Sequence, residues 1–238
     1  MFTDTIKGLE KIFKTNVFER MTILAVGHAG TLKSSFVYSI LARHLENNPD
    51  KIGMYATLEQ SKESLLNNIK RLGIKPCDRL HIADYNRTRE MYKNESERAD
   101  FLDLTERLIA TTKQEHQDEF VCFALDSINA LYTLTETDNL RERRKRMYYF
   151  FKLLRDNNLT SFLIKELSKI PAKGDDEEYF LADGVIELGV RTTLEGKKRY
   201  LEVLKMRQNE HSMRDFVIEI GDEGLAILGP SVDDRAVK

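Results

Sequence analysis

Short unbroken apolar runs alternate along this chain with longer stretches whose apolar positions recur at helical spacing. The first kind predicts strands buried on both faces and the second predicts amphipathic helices. Thr22 to Val26 reads as a buried strand, and residues 34–47 follow as a helix with Phe36, Ile40 and Leu41 on one face. IGMYATLE is a second strand, and SKESLLNNIKRLG a helix closed by Gly73. RLHIAD gives a short third strand, and the polar stretch after Tyr85 turns helical near Glu97. EFVCFALDS is a continuous apolar strand that carries Asp126 at its end. A long helix is predicted over residues 138–157, then the strand TSFLIKE and a charged loop, IPAKGDDEEYFLAD. GVIELGV, KRYLEVLKMR, DFVIEI and GLAIL read as antiparallel strands joined by glycine-containing turns. The expected fold class is α/β: a twisted, mostly parallel sheet flanked by helices, with antiparallel strands at the C-terminal end. No repeat or linker interrupts the pattern, so a single domain over residues 1–238 is expected.

Composition narrows the function classes without choosing one. At 238 residues, 41% hydrophobic and 32% charged, the chain can bury a sizeable core. Lys plus Arg (37) nearly balances Asp plus Glu (39), so only a local patch could attract nucleic acid or an anionic membrane. Cys77 and Cys122 are the two cysteines, and Cys122 inside FVCFAL reads as a small core residue. No disulfide is expected, which fits a cytoplasmic location. No apolar run is long enough for a membrane span, and the N-terminus lacks the pattern of a signal peptide. His28, His44, His81 and His116 show no ligand spacing, so no zinc site is expected.

The chemistry concentrates in AVGHAGTLKSSF, residues 25–36. A phosphate-binding loop needs backbone N–H groups wrapped around phosphate oxygens, a lysine that reaches them and a hydroxyl for Mg²⁺, all ahead of a helix. Gly27, His28, Ala29, Gly30, Thr31, Leu32, Lys33, Ser34 and Ser35 supply that arrangement between a strand and a helix. Leu32 stands where the pattern has its second glycine. If the position demands positive φ, a leucine there costs about 1–2 kcal/mol. The alternative is a plain strand-to-helix turn with a solvated lysine. Asp126 ends a buried strand, where doubly wound sheets place functional groups, although a strand terminator or helix cap would look the same. Glu59 ends the strand after the loop helix, where a carboxylate could deprotonate water; Glu59 and Gln60 could also simply lead into a helix capped by Ser61.

Taken in order, TDTIKGLEKIF, the loop, YATLEQSKESLLNNIKRLGI, FALDSINAL, ADGVIEL and RYLEVLKMRQNEHSMRDFVIEI resemble the KaiC and RadA branch of the RecA-superfamily ATPases. The resemblance covers essentially the whole chain as one KaiC-type domain. It implies a RecA-like P-loop core that binds ATP with Mg²⁺, the metal held by Ser34 and Asp126, the latter in the Walker B role. Family members carry two acidic residues at the end of the second strand; Glu59 matches the first as catalytic base, and Gln60 replaces the second. A family motif at the subunit border of a hexameric ring reaches the neighbour's γ-phosphate. Lys205, Arg207 and His211 match it, with Gln208 and Asn209 in place of Gly-Thr. Lys205 and Arg207 would then act as an arginine-finger analogue, whereas KMR alone reads as surface charge around a core methionine.

Leu32 and Gln60 leave Lys33, Ser34 and Asp126 intact, so MgATP binding is expected to be more secure than turnover. The expectation is a cytoplasmic, archaeal, KaiC-like regulatory ATPase that assembles as a homo-oligomeric ring. One alternative is a pseudo-ATPase scaffold, gated by nucleotide and docking a protein partner. Another is a recombinase paralogue that binds single-stranded DNA through RERRKR, residues 141–146. Nearby Glu136, Asp138 and Glu142 favour a solvated helix face or an inter-subunit ion-pair surface over nucleic acid.

Overall fold

The structure, a computed structural model, describes residues 2–13, 18–85, 101–134, 140–168, 177–193 and 196–230. The strands are β1 (Thr22–Gly27), β2 (Ile52–Thr57), β3 (Leu80–Asp84), β4 (Phe120–Asp126), β5 (Thr160–Glu166), β6 (Gly184–Thr193), β7 (Gly196–Met206), β8 (Phe216–Gly221) and β9 (Gly224–Pro230). The helices are α1 (Lys33–Asn47), α2 (Lys62–Arg71), α3 (Phe101–His116), α4 (Ile128–Leu134), α5 (Leu140–Asp156) and α6 (Glu177–Leu181). One nine-stranded sheet has the order β3-β2-β4-β5-β1-β6-β7-β8-β9. Strands β1 to β6 pair in parallel, and the pairs β6–β7, β7–β8 and β8–β9 are antiparallel.

Alternation along the central strands divides the core in two. Ile23 and Ala25 of β1, Cys122 and Ala124 of β4, and Phe162 and Ile164 of β5 pack with α1 and α2 on one face. Leu24 and Val26, Phe123 and Leu125, and Leu163 pack with α3, α4 and α5 on the other. Both faces are covered, so these strands are apolar at nearly every position. Each large side chain withdrawn from water contributes about 1.5–3 kcal/mol.

The expected pattern holds in its main lines and shifts in detail. Ser61 caps α2 by accepting from Ser64 N at 3.2 Å, and Gly73 (φ 72°) follows the end of that helix. Strand β2 stops at Thr57 rather than Glu59, because Leu58 to Gln60 bend away over the strand end. The short helix α4 intervenes before the long one, and the last part of the charged loop folds as α6. No glycine lies between β7 and β8; Gln208 takes the left-handed conformation (φ 60°) in that connection. Residues 86–100, Glu136, Asp138 and residues 173–176 lie outside the described residues. No helix among the described residues is long and apolar enough to cross a membrane.

Candidate functional site

The parallel strands deliver their carboxyl ends to one edge of the sheet, where open α/β sheets hold ligands. A cleft of about 480 Å³ opens there, and the P-loop stretch Ala29 to Ser35 forms one wall of it. Glu59, Asp126 and Glu166 bring carboxylates to it from beyond or at the ends of β2, β4 and β5. Leu65, Ile69 and Leu72 add an apolar wall from α2, beside Asn68 and Arg71.

The loop turns through two glycines for different reasons. A Cβ at Gly27 would stand 2.1 Å from Leu188 O and 2.7 Å from Thr31 Oγ1, so only glycine fits. Gly30 has φ 78° and open space around it, a backbone bend that favours glycine on conformational grounds. His28 is fixed by Nδ1 at 2.8 Å from Leu167 O, and its carbonyl accepts from both Thr31 Oγ1 and Lys33 Nζ at 2.8 Å. Leu32 does adopt the left-handed conformation, with φ 71° and ψ 19°, at the N-cap of α1. Its side chain packs against the α1 and α2 core, which offsets the backbone cost. The substitution for glycine therefore leaves the turn in place: Phe36 N still donates to Leu32 O at 2.8 Å.

Burial sets the electrostatics. Lys33 is nearly buried, and desolvation lowers its pKa, opposed by Glu166, Asp126 and Glu59 in that order. Asp126 is buried, and desolvation raises its pKa, opposed first by hydrogen bonds from Ser34 and Tyr55. Tyr55 Oη donates to Asp126 Oδ2 at 2.8 Å. Ser127 Oγ donates to Glu59 Oε1, and Leu58 N donates to Asp126 O at 2.7 Å, which locks the β2 end onto the β4 end. Gln60 also faces the cleft, where its Oε1 accepts from Asn68 Nδ2 at 3.4 Å.

The donor set fits a nucleotide with its metal. An ammonium has three donors, and Lys33 commits one to His28 O. Ser34 and Asp126 are hard oxygen ligands already in hydrogen-bond contact, a pair suited to Mg²⁺. Glu59 is an exposed carboxylate held in the same cleft.

Lys205 and Arg207 sit elsewhere, at the end of β7, and neither they nor His211 line this cleft. Lys205 Nζ donates to Tyr179 O and Ala182 O, each at 2.7 Å. Desolvation lowers the Lys205 pKa, with help from Arg207. Arg207 is exposed and donates through Nη2 to Phe180 O at 3.0 Å and through Nη1 to Asp183 Oδ1 at 3.4 Å. His211 bridges Phe13 in the chain's own N-terminal segment, and its Nε2 is buried without a hydrogen-bond partner.

A family model described as "ATPase: KaiC" matches residues 3–232. The chain belongs to the KaiC family of ATPases. It is 27% identical over 232 residues to a UPF0273 protein of Methanopyrus kandleri, a match covering 93% of this chain and 89% of that one. It is 24% identical over 232 residues to the circadian clock oscillator protein KaiC of Prochlorococcus marinus. That match covers 94% of this chain and 44% of the clock protein, so the chain spans less than half of that relative. A KaiC-like protein from the hyperthermophilic archaeon Pyrococcus horikoshii shares the fold, with a TM-score of 0.72 at 23% identity. The alignment covers 94% of this chain and 96% of that structure. The mostly parallel α/β sheet expected from the residues, and the RecA-like core that the resemblance implies, are thus the fold of this KaiC-family chain.

Glu166, Tyr55, Ser127, Asn68 and Arg71 are cleft or cleft-supporting residues that the sequence reading left out. Glu166 carried a usable signal, since it ends an apolar strand just as Asp126 does. Tyr55 carried none, because a tyrosine inside an apolar strand reads as core. Of the basic run, Arg141, Arg144 and Lys145 are exposed, while Arg143 lies 4.6 Å over the Tyr132 ring and Arg146 pairs with Asp103 at 3.3 Å.

Proposed function

We propose that this KaiC-family chain is a regulatory ATPase that binds MgATP and assembles into a hexameric ring with nucleotide at the subunit borders. The observation that carries the reading is the convergence of Lys33, Ser34, Asp126 and Glu59 on one cleft behind an intact phosphate-binding turn. The loop N–H groups and Lys33 would hold the phosphates. Ser34 and Asp126 would hold the metal, which when bound supplies positive charge against the phosphate oxygens. The apolar wall from α2, with Asn68 and Arg71, suits a flat base. Glu59, oriented by Ser127, would accept the proton of an attacking water. Gln60 cannot share that task, so turnover is slow by comparison with binding.

Lys205 and Arg207 would serve the neighbouring subunit's nucleotide. Their exclusion from their own cleft supports that role. Arg207 is exposed, and both cations are oriented largely by uncharged carbonyls. The DNA-binding reading has less support, since Arg143 and Arg146 are engaged within the chain.

The test measures MgATP binding and phosphate release at a concentration that permits assembly, beside Lys33→Ala and Glu59→Gln. Binding lost in the first and release lost in the second are expected. Tight binding without release in any form replaces the ATPase by a nucleotide-gated scaffold. No binding at all overturns the reading.

A further inference from the structure

Strand β5 carries a lysine at a core position. Alternation turns Leu163 and Lys165 toward the α3, α4 and α5 face, and the Lys165 side chain is only 5% exposed. A charge there needs a partner, and Glu178 provides it, its Oε2 accepting from Lys165 Nζ at 2.7 Å. Tyr132 Oη donates to the other carboxylate oxygen, so both oxygens of Glu178 are engaged. Glu178 lies on α6, a five-residue helix too short to hold itself without outside contacts.

The residues just after Glu178 form the cradle of the two cations. Tyr179 O and Ala182 O accept from Lys205, Phe180 O accepts from Arg207 Nη2, and Asp183 O accepts from Arg207 N at 2.8 Å. Carbonyl acceptors fix the direction of an ammonium or guanidinium without cancelling its charge, and the Asp183 carboxylate, 3.4 Å from the half-exposed Arg207 Nη1, offsets only part of it. A shift of α6 therefore moves both cations together.

We propose that Glu178, clamped by Lys165 and Tyr132, is a positioning residue for Lys205 and Arg207. It sets the direction in which these cations meet the adjoining subunit's nucleotide. This rests on the subunit-border reading above.

The test uses mixed assemblies and needs no turnover. Wild-type subunits loaded with a fluorescent ATP analogue are mixed with excess Lys33→Ala subunits, which offer their cations but hold no nucleotide. The release rate from the wild-type clefts is then compared for donors that also carry Arg207→Ala, Glu178→Gln or Tyr132→Phe, with incorporation checked by the mass of the assembly. Glu178→Gln donors should speed release about tenfold, close to the effect of Arg207→Ala, because a charge-assisted contact is lost in each case. Tyr132→Phe donors, which keep the buried ion pair, should give a smaller rise and carry the test if Glu178→Gln donors fail to assemble. Acceleration by Arg207→Ala but by neither clamp variant overturns the positioning role and leaves the border reading standing. No acceleration by any donor overturns both.

Discussion

The cleft at the parallel half of the sheet and the cation cradle at the start of its antiparallel half are built on opposite plans. In the cleft, one chain supplies the turn, the lysine, the hydroxyl and three carboxylates, all at neighbouring strand ends. In the cradle, the chain supplies two cations and the carbonyls that aim them, and they do not line their own cleft. Binding can therefore be complete within a single chain. On the proposed reading, charge stabilisation during phosphoryl transfer would then depend on a second copy.

The largest effect should come from removing a cation. Arg207→Ala is expected to lower phosphate release by about 10²–10³-fold, as for loss of a donor aimed at developing charge. MgATP affinity in the assembly should fall by only about tenfold, the loss of one charge-assisted contact from the neighbouring subunit. Equal losses in affinity and release, followed by titration and single-turnover kinetics, would break the division between the two regions.

Lys33→Ala acts on the other side and should weaken MgATP binding by about 100-fold, because several charge-assisted hydrogen bonds go at once. Calorimetry would show it, and unchanged affinity would mean that the loop does not hold phosphate.

Next comes pH. Burial raises the Asp126 pKa and lowers that of Lys33, so Asp126 is protonated earlier as pH falls and Lys33 is neutral earlier as pH rises than exposed groups would be. MgATP affinity should follow a bell, falling about tenfold per pH unit on each limb beyond the respective pKa. Asp126→Asn should remove the acid limb; if that limb persists, another group is responsible.

The smallest effect sharpens the reading of the loop. At a left-handed position Leu32→Gly should be more stable than Leu32→Ala by about 1 kcal/mol, the reverse of the usual order. Thermal unfolding of the two variants would settle it, and the ordinary Ala-over-Gly order would mean that the turn is not left-handed in solution.

Much of the cleft was legible because its signals are local. Gly27, Gly30, Lys33 and Ser34 lie on one strand–turn–helix unit, and Asp126 closes an apolar run. The same local signal marks Glu166, which ends β5. Glu59 was legible as a strand end, yet its contact with Ser127 was not, since the two lie on strands whose adjacency the order of the sheet decides. The charged stretch before residue 184 read as loop, because five residues carry too little periodicity to announce α6.

The buried strands, the phosphate-binding turn with leucine in place of glycine, and the carboxylate that ends β4 are all written in the residue order alone. Each of these follows from residues adjacent in the chain, whose periodicity and backbone preferences act before any tertiary contact. The tertiary arrangement is what makes Leu32 left-handed with its side chain packed against the core, and what places Tyr55 and Ser34 beside Asp126. It alone decided that the carbonyls after Glu178 receive Lys205 and Arg207 from a distant strand. Those contacts join segments far apart in sequence, and the order of strands across the sheet, which hydrophobic periodicity does not encode, is what brings them together.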